Sequence, residues 1–234
     1  MSKQTLRSRL HGKTDSTGYY YVKRLLDVTI ALFTLIVLLP FLVVIALLIK
    51  LDSHGPIFFI QTRVGSKRRV EEGKVYWAPT EFSIVKFRTM RNNADESLHK
   101  KQVQAFVEGT LAKTDEGKVQ TKIYDDPRIT RFGHILRKTN LDEIPQLFNI
   151  LRGEMSMVGP RPVPPYEAAY YTEHHLMRLT ALPGITGLWQ IKGRGHTGFE
   201  EMMHLDLLYI QDCSFWFDLK IMIQTIPAAL RGTT

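Results

Sequence analysis

The stretch TLIVLLPFLVVIALLIK, residues 34–50, decides the fold class because it forms most of an uncharged run over residues 28–49. A helix of this length rises about 33 Å and matches the ~30 Å hydrocarbon core of a bilayer. Pro40 lies near the middle of the run. Proline lacks a backbone donor and clashes with the preceding turn, so we expect a kink or break there. Each half alone is too short to cross the bilayer.

The charges on either side of this run bear on its topology. Residues 1–24 and residues 50–74 both carry more Lys and Arg than Asp and Glu. Basic flanks favour the cytoplasmic side and are attracted to anionic headgroups, which favours a helix that enters the bilayer and returns. A spanning helix with a proline kink is the alternative, since membranes tolerate such kinks.

Composition limits the partners of the chain. The 234 residues have a formal net charge of +8, which favours anionic partners such as nucleic acid, a phosphorylated ligand or acidic lipid. The single cysteine, Cys213, excludes an intrachain disulfide and suits a reducing compartment. The apolar run starts late and no small-residue cleavage site follows it, so no cleavable signal peptide is expected.

The chain is predicted to have three parts. These are a flexible basic N-terminus (1–20), a membrane helix hairpin (21–50) and a catalytic domain (51–234). Strands are predicted over residues 55–65 and 82–90, joined as a hairpin by a charged link at 66–80. The polar segment 91–124 is interpreted as an insertion or lid with an amphipathic helix over residues 94–107. The expected fold is α/β, mostly helical and membrane-associated, with interfacial amphipathic helices.

The motif RKTNLDEIPQLFNILRG, residues 137–153, contains the candidate chemistry. Proline is tolerated in a helix only within its first turn, so Pro145 predicts a helix that begins close to Asp142. The adjacent carboxylates of Asp142 and Glu143 then lie at the positive end of the helix dipole, where they are expected to be ionised. An ionised aspartate can act as a nucleophile or as a Mg²⁺ ligand.

Basic residues surround the main motifs, and such a density of cations suits phosphate oxygens. They are Lys86, Arg88, Arg131, Arg137, Lys138, Arg161 and Arg194. The glycine-rich loop KGRGHTG, residues 192–198, could wrap a phosphate, although a glycine loop alone is weak support.

Several motifs occur together in a fixed order: KFRTM (86–90), DPRITRFGHILRKTNLDEIPQLFNILRGEMSMVGPRP (126–162), LPGITGLWQIKGR (182–194) and DLKIM (218–222). With the proline-broken apolar segment, this set closely resembles the bacterial sugar transferase family, the monotopic polyprenyl-phosphate phosphoglycosyl transferases. The resemblance covers about residues 20–230.

The resemblance implies an enzyme that transfers a phosphosugar from a UDP-sugar to undecaprenyl phosphate and releases UMP. This reaction initiates exopolysaccharide, O-antigen or glycoconjugate biosynthesis. The resemblance makes Asp142 the nucleophile and a Mg²⁺ ligand, with Glu143 assisting. It places the substrate- and phosphate-binding roles on Lys86, Arg137, Arg161, Arg194 and Asp218. Arg88 is added to this set as one of the cations beside the motifs.

The resemblance also implies a location and partners. Pro40 would bend a re-entrant helix, although Leu39 stands where many members have a serine that could satisfy a freed carbonyl. The catalytic domain would lie on the cytoplasmic face of the bacterial inner membrane, with membrane lipid and downstream glycosyltransferases as partners. No nucleic acid is expected, and a homo-oligomer and the identity of the sugar stay open.

Two other functions remain as alternatives. One is a basic, membrane-anchored module that binds lipid or nucleic acid, which explains the charge of the chain but not the Asp142-Glu143 pair beside Pro145. The other is a different Mg²⁺-dependent phosphotransfer enzyme or a phosphatase.

Overall fold

The computed structural model describes residues 13–91, 97–111, 126–193 and 197–230. Its longer helices are α1 (Thr17–Asp52), α2 (Ser97–Val107), α3 (Arg131–Thr139), α8 (Phe199–Asp212) and α9 (Phe215–Leu230). Shorter helices are α4 (Leu147–Leu151), α5 (Pro165–Ala168), α6 (Glu173–Leu176) and α7 (Leu188–Lys192). Short 3₁₀ turns lie at Lys13–Asp15, Leu141–Gln146 and Met177–Leu179. The strands are β1 (Phe58–Glu71), β2 (Lys74–Phe87), β3 (Ser156–Val158) and β4 (Gly184–Thr186).

Helix α1 has 36 residues and stays helical through Pro40. The helix therefore does not break into two segments at this proline. One stripe of α1 is buried against the rest of the protein and comprises Asp27, Ala31, Leu35, Ile45 and Ile49. Residues three and four apart share a helix face, so this spacing forms one side of the helix. Large apolar residues on the other sides, including Phe33, Ile36 and Leu47, are exposed, and a surface of this kind marks a membrane contact.

The buried stripe packs on the same globular body on both sides of Pro40. Before the proline, Ala31 and Leu35 join a core cluster with Ile84, Leu147, Ile150 and Met155. After it, Ile45 and Ile49 join a second cluster with Phe87 and Leu136. Both halves of α1 are thus held by the residues that also surround the Asp142 turn.

The two ends of α1 are fixed by polar contacts. Near the start, the Arg24 guanidinium donates to the carbonyl of Leu151 at 3.1 Å. At the other end, the Asp52 carboxylate accepts from the backbone N–H of Phe132 at 3.2 Å. Lys13–Asp15 form a 3₁₀ turn ahead of α1, and Asp15 accepts a hydrogen bond from the indole of Trp77 at 3.0 Å. Residues 1–12 lie outside the described part of the chain, and the flexibility of the N-terminus stays a prediction.

Strands β1 and β2 form one long antiparallel hairpin of 14 residues a strand. The link predicted at residues 66–80 is wrong, because most of it belongs to the two strands. The connection is a tight turn at Glu72 and Gly73, which both have positive φ (52° and 73°), as a two-residue hairpin turn requires. Most of the charged residues of this region lie on exposed positions of the strands, so their polarity does not indicate a loop.

The parallel strands β3 and β4 bring the backbones around Gly159 and Gly184 into contact. Gly159 N–H donates to the carbonyl of Thr186, and Gly184 N–H donates to the carbonyl of Pro160, each at 2.9 Å. A Cβ on Gly184 would lie 2.1 Å from the nitrogen of Gly159, so only glycine fits. These two backbone N–H groups are therefore used in hydrogen bonds within the protein.

The C-terminal helices complete the body of the protein. Helix α8 contributes Leu207, Tyr209 and Ile210 to a core cluster that also contains Ile221 of α9. The other side of α9 exposes Trp216, Ile223 and Ile226. In the 91–124 segment, the helix predicted over residues 94–107 is confirmed where it is described, as α2, while residues 92–96 and 112–124 lie outside the described part of the chain.

Candidate functional site

The Asp142-Glu143 pair lies in the first turn of the helical segment that leads into α4. The 3₁₀ turn begins at Leu141, which confirms the start predicted from Pro145. Asn140 has a φ of 56° and ends α3, so the chain changes direction just before the pair. Asn140 also occupies the N-cap position of the turn but makes no side-chain cap hydrogen bond there.

Asn149 of α4 holds this turn against strand β2. Its amide oxygen accepts from Val85 N–H at 3.1 Å, and its amide nitrogen donates to the carbonyl of Ser83 at 2.7 Å. The side chain is fully buried, so both bonds are shielded from water. Asn149 therefore fixes the distance between the acidic turn and the neighbouring Lys86, a role that the sequence motif did not reveal.

Glu143 contacts two of the basic residues that were predicted for the site. Lys86 Nζ lies 2.7 Å from Glu143 Oε1, and Arg161 Nη2 lies 3.7 Å from the same oxygen. Lys86 comes from the end of β2 and Arg161 from the segment between β3 and α5. The structure thus brings together three of the residues predicted for the site.

Asp142 has a perturbed carboxyl group. Burial raises the pKa of Asp142, and the charge of Glu143 raises it further, while Lys86 and Arg137 lower it. The position of Asp142 at a helix start was expected to keep it ionised, and desolvation outweighs that effect in the ligand-free protein. A cation bound with a ligand would favour the ionised carboxylate.

A small, open cleft lies beside Glu143. It is lined by Arg63, Ile84, Lys86, Glu143, Gln146, Arg161, Pro162, Gly184, Ile185 and Gln190. Three of these residues are cationic and one is a carboxylate, so the lining has a formal excess of two positive charges. Such a cleft suits an anionic ligand that can accept hydrogen bonds from guanidinium groups.

Arg63 is a cleft residue that the sequence motifs did not identify. It lies on β1, where Gln61 and Arg63 are less exposed than the intervening Thr62. Burial and the nearby charge of Arg161 lower the pKa of Arg63 to about 10. The signal in the sequence is the spacing of two between Gln61 and Arg63 within a strand, which places both residues on one face.

Arg88 was predicted to bind substrate, and that role stays a prediction, while its observed contacts lie at the end of α1. Its guanidinium is 5% exposed and donates to the carbonyls of Ser53 (2.6 Å) and His54 (3.1 Å). It also reaches the carbonyl of Ile49 at 3.4 Å. The last carbonyls of a helix lack partners within the helix and favour a cation. Arg88 therefore caps the C-terminal end of α1, although it is only two residues from Lys86.

Asp218 lies in a different network from Glu143. Its carboxylate accepts from Tyr19 (2.7 Å) and Tyr209 (2.8 Å) and pairs with Lys23 at 2.9 Å. These contacts join the start of α1 to α8 and α9. Asp218 thus connects α1 to the C-terminal helices, and its predicted phosphate-binding role stays a prediction.

The remaining predicted residues have different positions. Arg137 lies in the last turn of α3 and is close enough to Asp142 to lower its pKa. Arg194 falls outside the described residues, so its predicted role stays a prediction. Pro40 is an exposed residue within α1.

The acidic pair can be tested for its fit to Mg²⁺. Within the described ranges, no group of three or more His, Cys, Asp or Glu side chains could enclose a metal ion. Mg²⁺ is commonly held by one or two carboxylates together with substrate phosphates and water. Asp142 and Glu143 fit that pattern, in which most of the ligands come with the substrate.

The fold and the site define a membrane-associated protein with an acidic pair beside a cationic cleft. Among the described residues, one helix, α1, is long and apolar enough to cross a membrane. The chain belongs to the bacterial sugar transferase family, whose model matches residues 18–232. This confirms the resemblance that the motifs indicated, and it makes the chain a transferase.

Three relatives show how far the similarity extends. An exopolysaccharide production protein, ExoY, of Sinorhizobium fredii is 40% identical over 88% of this chain and 84% of its own length. A UDP-glucose:undecaprenyl-phosphate glucose-1-phosphate transferase of Caulobacter vibrioides is 38% identical over 98% of this chain and 77% of its own length. A UDP-galactose-lipid carrier transferase of Erwinia amylovora is 38% identical over 90% of this chain but only 41% of its own length. The chain thus spans most of the first two relatives and under half of the third.

Proposed function

We propose that this chain transfers a sugar phosphate from a UDP-sugar to undecaprenyl phosphate and releases UMP. The observation that carries the proposal is Asp142-Glu143 fixed beside a cleft with Lys86 and Arg161. The name of the Caulobacter relative supports both the donor and the acceptor class. The name of the Sinorhizobium relative supports a place in exopolysaccharide production, where downstream glycosyltransferases would use the lipid-linked product.

The proposed reaction has two displacements. A carboxylate oxygen of Asp142 attacks the phosphorus next to the sugar, and the bond from that phosphorus to UMP breaks, so that UMP leaves with the electron pair. A phosphate oxygen of undecaprenyl phosphate then attacks the same phosphorus, and Asp142 is released unchanged. The product is undecaprenyl-diphosphate-sugar. Covalent catalysis of this kind divides one difficult transfer into two easier steps.

The neighbouring residues have distinct roles in this scheme. Lys86 and Arg161 present positive charge where negative charge develops on the transferred phosphoryl group. Glu143 holds Lys86 in place through their 2.7 Å contact. Bound Mg²⁺ would be held by Asp142 and the donor phosphates and would supply further neutralisation of the diphosphate.

We also propose a re-entrant, monotopic arrangement with both ends of α1 on the cytoplasmic face of the inner membrane. The support is that Arg24 at one end and Asp52 at the other contact the same globular body. The basic flanks at either end favour the same side. The acceptor phosphate would then meet the site at headgroup level while its polyprenyl chain stays in the bilayer.

Cysteine labelling tests this topology. Thr5→Cys and Lys74→Cys, each in a Cys213→Ala background, should react with a membrane-impermeant maleimide only after spheroplasts are permeabilised. Lys74 is exposed beside the hairpin turn and serves as the cytoplasmic reference. Adding Pro40→Ala should make the Thr5→Cys site reactive in a fraction of intact spheroplasts, because a straighter helix favours spanning. Reaction of Thr5→Cys in intact spheroplasts without the Pro40 change contradicts the re-entrant arrangement.

The pH dependence of kcat/KM for the donor tests the state of Asp142. The nucleophile must be ionised, and burial raises its pKa, so the rate should fall with acidification at a pH above the ordinary aspartate value of about 3.9. Arg137→Gln removes a charge that lowers this pKa and should move the acidic limb to higher pH, whereas Arg137→Lys should leave it nearly in place. If kcat/KM of the wild type falls only at a pH at or below the ordinary aspartate pKa, Asp142 is not the group that must be ionised.

The direct test of the proposed function is UMP release from a panel of UDP-sugars with undecaprenyl phosphate in membranes or detergent. We expect multiple turnovers with one or a few donors only when the acceptor is present. A lipid- or nucleic-acid-binding module would release no UMP. Sustained turnover without the acceptor would indicate a hydrolase instead.

A further inference from the structure

We propose that Arg63 is a donor-binding residue, and that its guanidinium and that of Arg161 form a subsite for the diphosphate group of the nucleotide sugar. This inference rests on the proposed function and deepens it. It assigns the donor diphosphate to a residue of the β-hairpin that lies outside the motifs which identify the site.

The backbone holds the two arginines side by side. Val64 N–H donates to the carbonyl of Val163 at 2.7 Å, and these two residues form an isolated antiparallel bridge. Arg63 directly precedes Val64, and Arg161 lies two residues before Val163. The bridge therefore fixes the backbone segments from which both arginines line the cleft, which favours preorganised anion binding.

The Arg63 guanidinium has unused donor capacity. Its Nη atoms donate to uncharged acceptors, the side-chain amide oxygen of Gln61 at 2.6 Å and the carbonyl of Pro162 at 3.4 Å. Its Nε atom is buried and has no hydrogen-bond partner among the described residues. A buried cation with an unpartnered donor is costly unless a ligand completes its environment.

The charge of the cleft matches a diphosphate. Among the described residues that line the cleft, Glu143 is the only carboxylate, and it contacts both Lys86 at 2.7 Å and Arg161 at 3.7 Å. A formal excess of two positive charges therefore remains, and Arg63 contributes to it. Each phosphate of a nucleotide-sugar diphosphate carries one negative charge and offers several acceptor oxygens. Two guanidinium groups can therefore neutralise the diphosphate and bind it through paired hydrogen bonds.

His99 of α2 lies in the same positive field. Its Nδ1 lies 2.5 Å from the hydroxyl of Tyr166, whose ring also contacts Lys100. Burial and surrounding guanidinium groups lower the pKa of His99 to about 4. Those groups are Arg63, Arg161, Arg137 and Arg128. An anion bound by Arg63 and Arg161 would offset part of this field and raise the pKa of His99.

Calorimetric titration of the purified full chain in nanodiscs, with Mg²⁺ and without acceptor, tests the subsite. The wild type should bind UDP more tightly than uridine. Arg63→Gln should weaken UDP binding about tenfold to a hundredfold and leave uridine binding nearly unchanged. The UDP affinity of Arg63→Lys should lie between those of the wild type and Arg63→Gln, because lysine keeps the charge but loses the forked geometry of the guanidinium. Arg69→Gln, at an exposed position of the same strand, should bind UDP like the wild type.

Steady-state kinetics separate donor binding from a structural role. Arg63→Gln should raise KM for the UDP-sugar by more than it lowers kcat, with the KM for undecaprenyl phosphate unchanged. Equal UDP affinity in Arg63→Gln and wild type, while the wild type releases UMP normally, overturns the subsite and leaves the proposed function standing. Failure of the wild type to release UMP with any donor would instead overturn the function.

A second measurement uses the unmodified protein and so does not depend on how the variants fold. The pKa of His99 is followed by NMR of histidine-labelled protein, with the signal assigned by its loss in His99→Gln. Saturating UDP should raise this pKa above its low value in the free protein. A pKa that stays unchanged at saturating UDP contradicts binding of the diphosphate at Arg63 and Arg161.

Discussion

Asp142→Asn is expected to lower turnover by at least about a thousandfold, because it removes the attacking carboxylate while keeping its shape. The asparagine amide occupies the same half-buried position but offers no anionic oxygen. Lys86 and Arg161 remain paired with Glu143, so the donor cleft should persist. We therefore expect binding of UDP to change far less than the rate of UMP release.

The control for this variant is Asp212→Asn, which changes an exposed aspartate at the end of α8. It should have wild-type turnover in the same UMP-release assay. If Asp142→Asn keeps more than a tenth of the wild-type rate, Asp142 is not the nucleophile.

Glu143→Gln is expected to lower turnover about a hundredfold, because it removes the anion that fixes Lys86. The amide can still accept a hydrogen bond from Lys86, but it does not neutralise it. Lys86 then acts more strongly on Asp142 and makes it a weaker nucleophile. Since Asp142 still attacks in this variant, we expect slow formation of a phosphosugar adduct.

The two acidic variants can be distinguished by comparing adduct formation with overall turnover. Glu201→Gln, an exposed change on α8, provides the matched control and should be unaffected. If Glu143→Gln eliminates the adduct while Asp142→Asn retains it, Glu143 is the nucleophile and Asp142 has the supporting role.

Local sequence rules were sufficient for the acidic turn. Pro145 can occupy only the first turn of a helix, and the structure begins that turn at Leu141. The same kind of rule was not sufficient for the hairpin, where charged residues near Glu72 were interpreted as a loop. Alternate residues of a strand face opposite sides, so such charges are compatible with a long hairpin whose turn is set by two positive φ angles.

The roles of the basic residues could not be predicted from proximity in the sequence. Lys86 and Arg88 belong to one motif, yet Lys86 meets Glu143 while Arg88 caps α1. The difference arises because β2 ends at Phe87, after which the chain turns toward the end of the membrane helix. Asp218 likewise acquires its partners from α1 and α8, which are distant in sequence. Arg63 was not predicted because its position beside the cleft depends on the Val64–Val163 bridge. This bridge joins two segments that are distant in the sequence.

Mass spectrometry of the protein after incubation with Mg²⁺ and a UDP-sugar, without acceptor, tests the central claim most directly. The donor is one that supports acceptor-dependent UMP release. We expect a phosphosugar mass on the peptide that contains Asp142, one equivalent of UMP in solution, and loss of the adduct when undecaprenyl phosphate is added. Absence of the adduct, together with kinetics in which both substrates must bind before UMP leaves, would contradict the covalent route and leave Asp142 as a metal ligand in a direct transfer.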